Sequence, residues 1–231
     1  MNIKRSFPII AAAALLAVCG PVGRADTFDV SLNTSALSGT TQILAFGLND
    51  SDGSSNTVSL TGFNFGVGSA VAGTQDCTLG ALLSGAGCSG NLTGGVTLSD
   101  ASASEVFFDQ EFTVGSSLSF AMTTTNAFAG GIPDGFAMYL CDVGLDTCYS
   151  DDTASGALLI LGLNGAPLTP SSFTLNGASA QDLPAPVVTV GSGTGTTPTP
   201  EPGSLLLFGL GALVLALGTK ATRVAGQLNS R

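Results

Sequence analysis

Short stretches of alternating polar and apolar residues run through the chain from Asp26 to about Leu183, and none of them has the length and period of an amphipathic helix. Successive side chains of a β-strand point to opposite faces, so this period predicts strands with one buried face. The clearest examples are Thr27–Asn33, Thr57–Phe65 and Ser117–Thr123. The further predicted strands are Gln42–Leu48, Gly95–Ser99, Glu105–Thr113, Gly135–Cys141, Ala157–Leu163 and Phe173–Asn176.

Turn residues separate these strands, at Asn49–Gly53, Gly130–Gly135 and Asn164–Gly165. Asn, Asp and Gly dominate tight turns because they tolerate left-handed backbone angles or bond their own backbone. About nine short strands at such spacing predict an all-β fold, an antiparallel β-sandwich of jelly-roll-like form over residues 26–183. Leu79–Leu83 is the one segment suited to a helical turn, and the glycines beside it would keep that turn short.

The first 25 residues have the three parts of a secretory signal peptide. Lys4 and Arg5 supply the positive charge, Phe7–Val18 is the apolar core, and the small residues before Asp26 suit cleavage there. A lipoprotein signal ending at Cys19 is the alternative, although Val18 is larger than the residue that normally precedes a modified cysteine. We expect residues 1–25 to be removed on export.

An uncharged apolar run lies near the end of the chain, from Gly203 to Thr219. As a helix it would be about 25 Å long, near the lower limit for crossing a bilayer. A buried helix of a globular core is the alternative, but the proline-rich entry and the basic exit favour a membrane span. Lys220, Arg223 and Arg231 follow the run, so the positive-inside rule predicts a cytoplasmic tail and an exterior Glu201.

Three features occur in a fixed order at this end of the chain: Pro200-Glu201-Pro202, the apolar span, and the basic residues. Residues 200–231 therefore resemble the PEP-CTERM sorting signal of Gram-negative bacteria that make exopolysaccharide, although the basic residues are sparser than is usual in that family. The resemblance implies a partner, exosortase, a membrane-embedded cysteine protease-like enzyme that would cleave near Pro200–Pro202. It also implies a membrane intermediate, followed by delivery to the cell surface or the extracellular matrix.

A linker rich in Pro, Thr and Gly joins the two parts, over residues 184–199. Such a composition cannot bury a core, so we expect a flexible to semi-extended segment. Val187–Val190 is the exception, because its residues favour an edge strand.

Charge is distributed unevenly along the chain. All 16 acidic residues lie between Asp26 and Pro202, and all six Lys and Arg lie outside that range. Nucleic acid is excluded as a partner of the exported domain, because the domain has no cation to neutralise phosphate. An anionic glycan or lipid surface would be repelled unless a divalent metal bridged the two. Negative charge that keeps a secreted surface protein soluble is the simpler explanation.

Four cysteines remain once the signal peptide is removed: Cys77, Cys88, Cys141 and Cys148. An even number in an exported domain predicts disulfides. Three pairings are possible, and we favour Cys77–Cys88 with Cys141–Cys148 because each closes a short loop between predicted strands. Zinc is disfavoured, since the chain has no His and no Cys-x-x-Cys spacing.

Catalytic chemistry has little support in the sequence. With no His in the chain, a Ser-His-Asp or Cys-His arrangement is impossible. Glu105, Asp109 and Glu111 would share one face of a strand and are the only candidates for a carboxylate pair. We favour a simpler explanation for them, a half-exposed strand face beside the core residues Phe108 and Phe112. We predict no enzyme activity, no catalytic residue and no cofactor.

Two acidic groups are candidates for binding calcium: Asp50–Asn56, and the set Asp142, Asp146, Asp151 and Asp152. Solvated turns explain both, so we assign no metal ligand. Sugar-binding sandwiches usually expose aromatic rings, and this chain has no Trp and only two Tyr, Tyr139 and Tyr149. The sequence thus predicts an exported surface or matrix protein with a structural or interaction role, in contact with exopolysaccharide. A glycan- or calcium-dependent adhesive module is the alternative.

Overall fold

The structure of the protein is a computed structural model that describes residues 24–177, 180–183 and 185–190. These residues all belong to one compact unit, residues 1–191. The predicted signal peptide, apart from its last two residues, lies outside the described part of the chain, as do the predicted sorting segment and its membrane span, residues 203–219. Of the predicted linker, only residues 185–190 are described. None of the helices within the described ranges is long and apolar enough to cross a membrane.

Fourteen β-strands form the regular structure of the described residues, with single 3-10 turns at Ser35–Leu37 and Asp100–Ser102. In chain order the strands are β1 (Arg24–Asn33), β2 (Thr41–Asn49), β3 (Thr57–Asn64), β4 (Ser69–Ala70), β5 (Cys88–Asn91), β6 (Gly95–Ser99), β7 (Glu105–Thr113), β8 (Ser117–Asn126), β9 (Asp134–Cys141), β10 (Leu159–Leu163), β11 (Ser171–Ser172), β12 (Leu175–Gly177), β13 (Ala180–Leu183) and β14 (Val187–Val190). Each predicted strand overlaps an observed one.

Twelve of these strands form two antiparallel six-stranded sheets, and β12 pairs with β13 in a small third sheet. Sheet 1 has the order β14-β1-β8-β3-β6-β5, and sheet 2 has the order β11-β10-β9-β2-β7-β4. The pairing is nested: β3 pairs with β6, β2 with β7 outside them in the sequence, and β1 with β8 outside those. This nesting places strands that are distant in the sequence side by side in each sheet.

The two sheets share one hydrophobic core, with Phe46 of sheet 2 near its centre. The ring of Phe46 lies 5.8 Å from that of Phe120 and 6.1 Å from that of Phe63, both on sheet 1. It also stacks on Phe108 and Phe136 of its own sheet, at 6.2 and 6.1 Å. Burial of such rings is the main stabilising term for a fold of this kind. The prediction of an all-β, antiparallel fold is confirmed.

Two segments differ from their predictions. The backbone is left-handed at Leu79, Gly80 and Ala81, so Leu79–Leu83 is a tight turn with no helical turn in it. Strand β5 has no alternating pattern in its sequence, and it forms because it pairs with β6 at the edge of sheet 1. Val187–Val190 does form an edge strand, β14, which pairs with β1.

Candidate functional site

The four cysteines form two disulfides, Cys77–Cys88 and Cys141–Cys148. This is the pairing that the short-loop argument favours. The sequence separations are 11 and 7 residues, so each bond would stabilise the fold by about 2–3 kcal/mol on the chain-entropy model. Cys141 ends β9, and its bond holds the following loop against the outer face of sheet 2. The four cysteines therefore brace loops and leave no thiol for chemistry.

Three acidic residues converge at one end of the two sheets: Asp50, Asp52 and Asp134, which we call the loop-end cluster. Their carboxylate oxygens lie within 4.8 Å of one another, and in the described part of the chain they are the only such group of three or more acidic, His or Cys side chains. Asp50 and Asp52 belong to the first predicted calcium segment. Asp134 does not, and the fold brings it in because β9 starts beside the end of β2.

Asp134 is fully buried and serves as an acceptor for four donors. Its Oδ1 accepts the backbone N–H groups of Ser51 at 2.7 Å and Asp52 at 3.3 Å. Its Oδ2 accepts the Asn56 amide at 2.7 Å and the Ser54 hydroxyl at 3.1 Å. A calcium ion needs several oxygens directed at it, whereas these oxygens face hydrogen-bond donors. The arrangement fits a hydrogen-bonded turn, and Asp134 is its centre.

The second predicted calcium group does not come together. Asp142 accepts the N–H groups of Asp146 and Thr147 in its own turn, at 2.8 and 3.2 Å. Asp151 accepts the N–H of Thr174, and Asp152 bonds residues of the following turn. Each of these carboxylates bonds different backbone N–H groups, which agrees with solvated turns rather than a shared calcium site.

Two buried carboxylates have a raised pKa. Burial, with added repulsion from Asp134 and Asp50, raises the pKa of Asp100 from 3.8 to about 6. Burial also raises the pKa of Asp109 to about 6, and the charge of Asp76 adds to the shift. The backbones of Asp76 and Asp109 bond each other at 2.8 and 2.9 Å, which places the two residues side by side. The pKa of Asp76 is lowered instead, because the Thr78 hydroxyl donates to its carboxylate at 2.6 Å.

These shifts predict that the protein is more stable at mildly acidic than at neutral pH. A carboxyl group whose folded pKa exceeds its unfolded value favours the folded state at low pH, and this contribution is lost as pH rises through about 6. Below pH 4 the lowered pKa of Asp76 acts in the opposite direction. We expect the melting temperature to fall by roughly 3–6 °C between pH 5 and 7.5, for a loss of about 1–2 kcal/mol after allowance for solvent screening. Thermal denaturation across this range measures it.

Asp109→Asn tests the origin of this pH dependence. The variant should melt higher than wild type at pH 7.5 and show a shallower pH profile. Asp29→Asn, which removes an exposed carboxylate of β1, is the matched control and should keep the wild-type profile. A melting temperature that rises from pH 5 to 7.5 would contradict the prediction.

The candidate hydrolytic carboxylates share the outer face of sheet 2, as their spacing predicts. Glu105 is exposed, Glu111 is half-buried, and Asp109 is buried beside Asp76. Phe108 and Phe112 of the same strand are buried in the core. Acidic residues thus lie on the outer face of β7 and these two phenylalanines on its core face, as expected of a strand with one half-exposed face.

The two tyrosines have different roles. The hydroxyl of Tyr149 donates to Gln42 at 3.2 Å, and its backbone N–H bonds Leu140, so Tyr149 fixes the loop after β9. Tyr139 lies on the outer face of sheet 2 beside Phe107, at a ring distance of 6.4 Å. The position of Phe107 on this outer face follows from the alternation within β7, whereas its contact with Tyr139 depends on the pairing of both strands with β2.

A shallow groove of about 490 Å³ lies on the outer face of sheet 1. Its lining includes short side chains of β1, β8 and β14, among them Asp29, Ser31, Ser119, Ala121 and Thr189. The groove offers hydroxyl groups and one carboxylate to a ligand.

The end of the chain provides the functional identification. Residues 198–220 match the family described as the PEP-CTERM protein-sorting motif. The chain carries a PEP-CTERM sorting motif. The matched residues include Pro200, Glu201 and Pro202 and extend to Lys220, while Arg223 and Arg231 lie beyond them. This motif implies processing by exosortase and export to the cell envelope through a membrane intermediate. No curated protein and no solved structure matches the chain.

Proposed function

We propose that the protein is a structural or interaction component of the cell surface or of an exopolysaccharide matrix. In this proposal residues 1–25 direct export, the span 203–219 holds the precursor in the inner membrane, and exosortase cleaves near Pro200–Pro202. The PEP-CTERM motif at residues 198–220 is the observation that carries the proposal. The delivered part has the nested strand pairing expected of a jelly-roll-like sandwich, and we propose that fold class for it.

The chemistry of the delivered domain supports a passive role outside the cell. Two disulfides suit an oxidising compartment. The sequence between Asp26 and Pro202 has no Lys or Arg, so the processed domain carries only negative charge. Such a domain stays soluble and repels anionic polymers, so neutral matrix components are favoured over anionic ones as its partners. The proposal assigns no catalytic activity to the domain.

A calcium-dependent adhesive module is the second candidate, because Asp50, Asp52 and Asp134 come together. The donors that surround Asp134 weigh against it, since they already satisfy its oxygens. Binding to the matrix without calcium separates the two candidates.

Pull-down on the producer's own exopolysaccharide tests the proposal. We expect the processed domain to be retained equally in EDTA and in millimolar calcium, and to release no reducing ends from the polymer. Retention only with calcium would establish the second candidate. A domain that is not retained under either condition would contradict the matrix role, and turnover that is lost in Glu105→Gln would contradict the absence of catalysis.

A further inference from the structure

The outer face of sheet 2 has a solvent-accessible apolar strip that crosses four strands at one level. Ile160 lies opposite Ala137, Ala137 opposite Gly47, and Gly47 opposite Phe107. Directly opposed residues of antiparallel strands point to the same face, so these four residues form a continuous row, the outer strip. All four are partly exposed, whereas Ala45, two residues from Gly47, is completely buried.

Two aromatic rings flank the glycine of the outer strip. The rings of Phe107 and Tyr139 lie 6.4 Å apart and are tilted by 41°. A Cβ atom placed on Gly47 would lie 3.7 Å from Cδ2 of Phe107 and 3.8 Å from Cε2 of Tyr139. Because glycine has no side chain, the two rings flank a partly exposed stretch of the β2 backbone, which we call the depression.

Polar groups border this depression. Asn49 follows Gly47 by two residues in β2, and Glu105, which lies opposite Asn49, precedes Phe107 by two residues in β7. Both are exposed. Burial, and then the charges of Glu105 and Asp152, raise the pKa of the Tyr139 hydroxyl, so both carboxylates lie near that ring. The surroundings of the strip thus provide an amide, a phenol and two carboxylates, and no cation occurs between Asp26 and Pro202.

This combination of groups fits a sugar chain. Sugar rings have apolar C–H faces that stack on aromatic rings, and hydroxyl groups at their edges that bond amides and carboxylates. Ligand sites commonly combine an apolar, aromatic lining with a few polar groups in this way. An anionic polysaccharide would meet Glu105 and Asp152 without a compensating cation and is disfavoured.

We propose that the outer strip binds a neutral polysaccharide, with sugar rings stacked on Phe107 and Tyr139 above Gly47. Asn49 and Glu105 bond the hydroxyl groups of the bound chain. This inference rests on the proposed matrix role and names the surface that performs it. The competing explanation is that the two rings only cover Gly47 to stabilise the sheet.

Native gels cast with a polysaccharide test the inference, using hydroxyethylcellulose, dextran or galactomannan as neutral probes and alginate as the anionic one. Wild type should be retarded by at least one neutral polymer and not by alginate. Phe107→Ala and Tyr139→Ala should each lower the association constant about tenfold or more, as expected for aromatic residues at the centre of a binding site.

Gly47→Ala separates binding from stability. The added Cβ atom would make only ordinary contacts with the two rings, so the variant should melt close to wild type. Its methyl group fills the depression, so it should bind more weakly than wild type. Phe128→Ala, which removes a ring 36% exposed on the loop after β8, and Ser119→Leu in the groove of sheet 1 are controls and should bind like wild type.

The outcomes distinguish this inference from the proposed function. If wild type is retarded and the three strip variants bind equally well, the outer strip is not the site and the matrix role stands. If wild type binds the producer's exopolysaccharide but none of the neutral probes, or binds alginate, the inference fails alone. If wild type binds neither the producer's exopolysaccharide nor any probe, both fail.

Discussion

Replacing Pro200, Glu201 and Pro202 together with alanine is expected to abolish C-terminal processing, so that a chain still ending at Arg231 accumulates in the inner-membrane fraction. Proline holds the chain extended and cannot continue a helix in its interior, which keeps the segment before the predicted span accessible to a protease. Alanine is the strongest helix former and would allow the span to continue upward through the cleavage region. The substitution removes the sequence that exosortase would recognise and also the extended conformation.

Intact-mass spectrometry of the membrane and extracellular fractions measures this effect. Wild type should yield a mature protein that ends near Pro200–Pro202, and the triple variant should yield almost none. Thr196→Ala with Thr197→Ala lies just outside the matched residues and should be processed normally. A wild-type mature protein whose last peptide contains Arg231 would refute the cleavage, and normal processing of the triple variant would show that the motif is not required.

Cleavage has a further consequence for charge. Lys4, Arg5 and Arg24 lie within the predicted signal peptide, and Lys220, Arg223 and Arg231 follow the predicted span. Removal of both ends would therefore take away every basic residue together with the membrane anchor. The span is then a transient sorting device, and the released domain carries acidic side chains alone.

The sequence predicts strands best where one face of the strand is buried and the other is solvated. In β8, Leu118, Phe120 and Met122 are buried in the core, and the residues between them point outward. This period-two pattern is a local property of the sequence, so no tertiary information is needed to recognise it. The short disulfide loops are local in the same sense.

Strand β2 shows where local pattern fails. Ile43 and Ala45 point away from the core and are nevertheless buried. Ala45 lies opposite Tyr139 and Asp109, and Ile43 lies opposite Cys141, whose disulfide partner belongs to the next loop. These neighbours are about 60 to 100 residues away in the sequence. Burial of Ile43 and Ala45 therefore depends on how β2 pairs with β7 and β9, and the alternation within β2 does not specify that register.

The candidate sites fail to appear in the sequence for the same reason. The outer strip requires Gly47 to lie between β7 and β9 at the level of Phe107, and single residues on three strands carry no recognisable spacing. The loop-end cluster requires Asp134 to bond a loop more than 80 residues earlier. Turn chemistry identified Asp50–Asn56 as a turn, but the buried acceptor that closes it was not predictable.

Asp134→Ala is expected to destabilise the domain by about 3–5 kcal/mol, and so to lower its melting temperature by roughly 10 °C. The substitution removes one acceptor from the buried Asn56 amide, and from the Ser54 hydroxyl and two backbone N–H groups, whose bonds to Asp134 are partly buried. The Asn56 amide Nδ2 also donates to the Ala127 backbone oxygen at 3.1 Å, and its Oδ1 accepts the Ala127 N–H at 2.8 Å. Loss of Asp134 should therefore loosen the start of the loop after β8 as well.

Chemical denaturation of Asp134→Ala and Asp109→Asn at pH 7.5 separates two kinds of buried carboxylate in one domain. Asp134 accepts hydrogen bonds from four donors, whereas burial and the neighbouring Asp76 destabilise the charge of Asp109. The free energy of unfolding should thus fall in Asp134→Ala and rise in Asp109→Asn, with Asp29→Ala changed by less than about 0.5 kcal/mol. A rise in both variants would show that the net negative charge of the domain outweighs the hydrogen bonds of Asp134, and a fall in both would show that the buried charge of Asp109 is not destabilising.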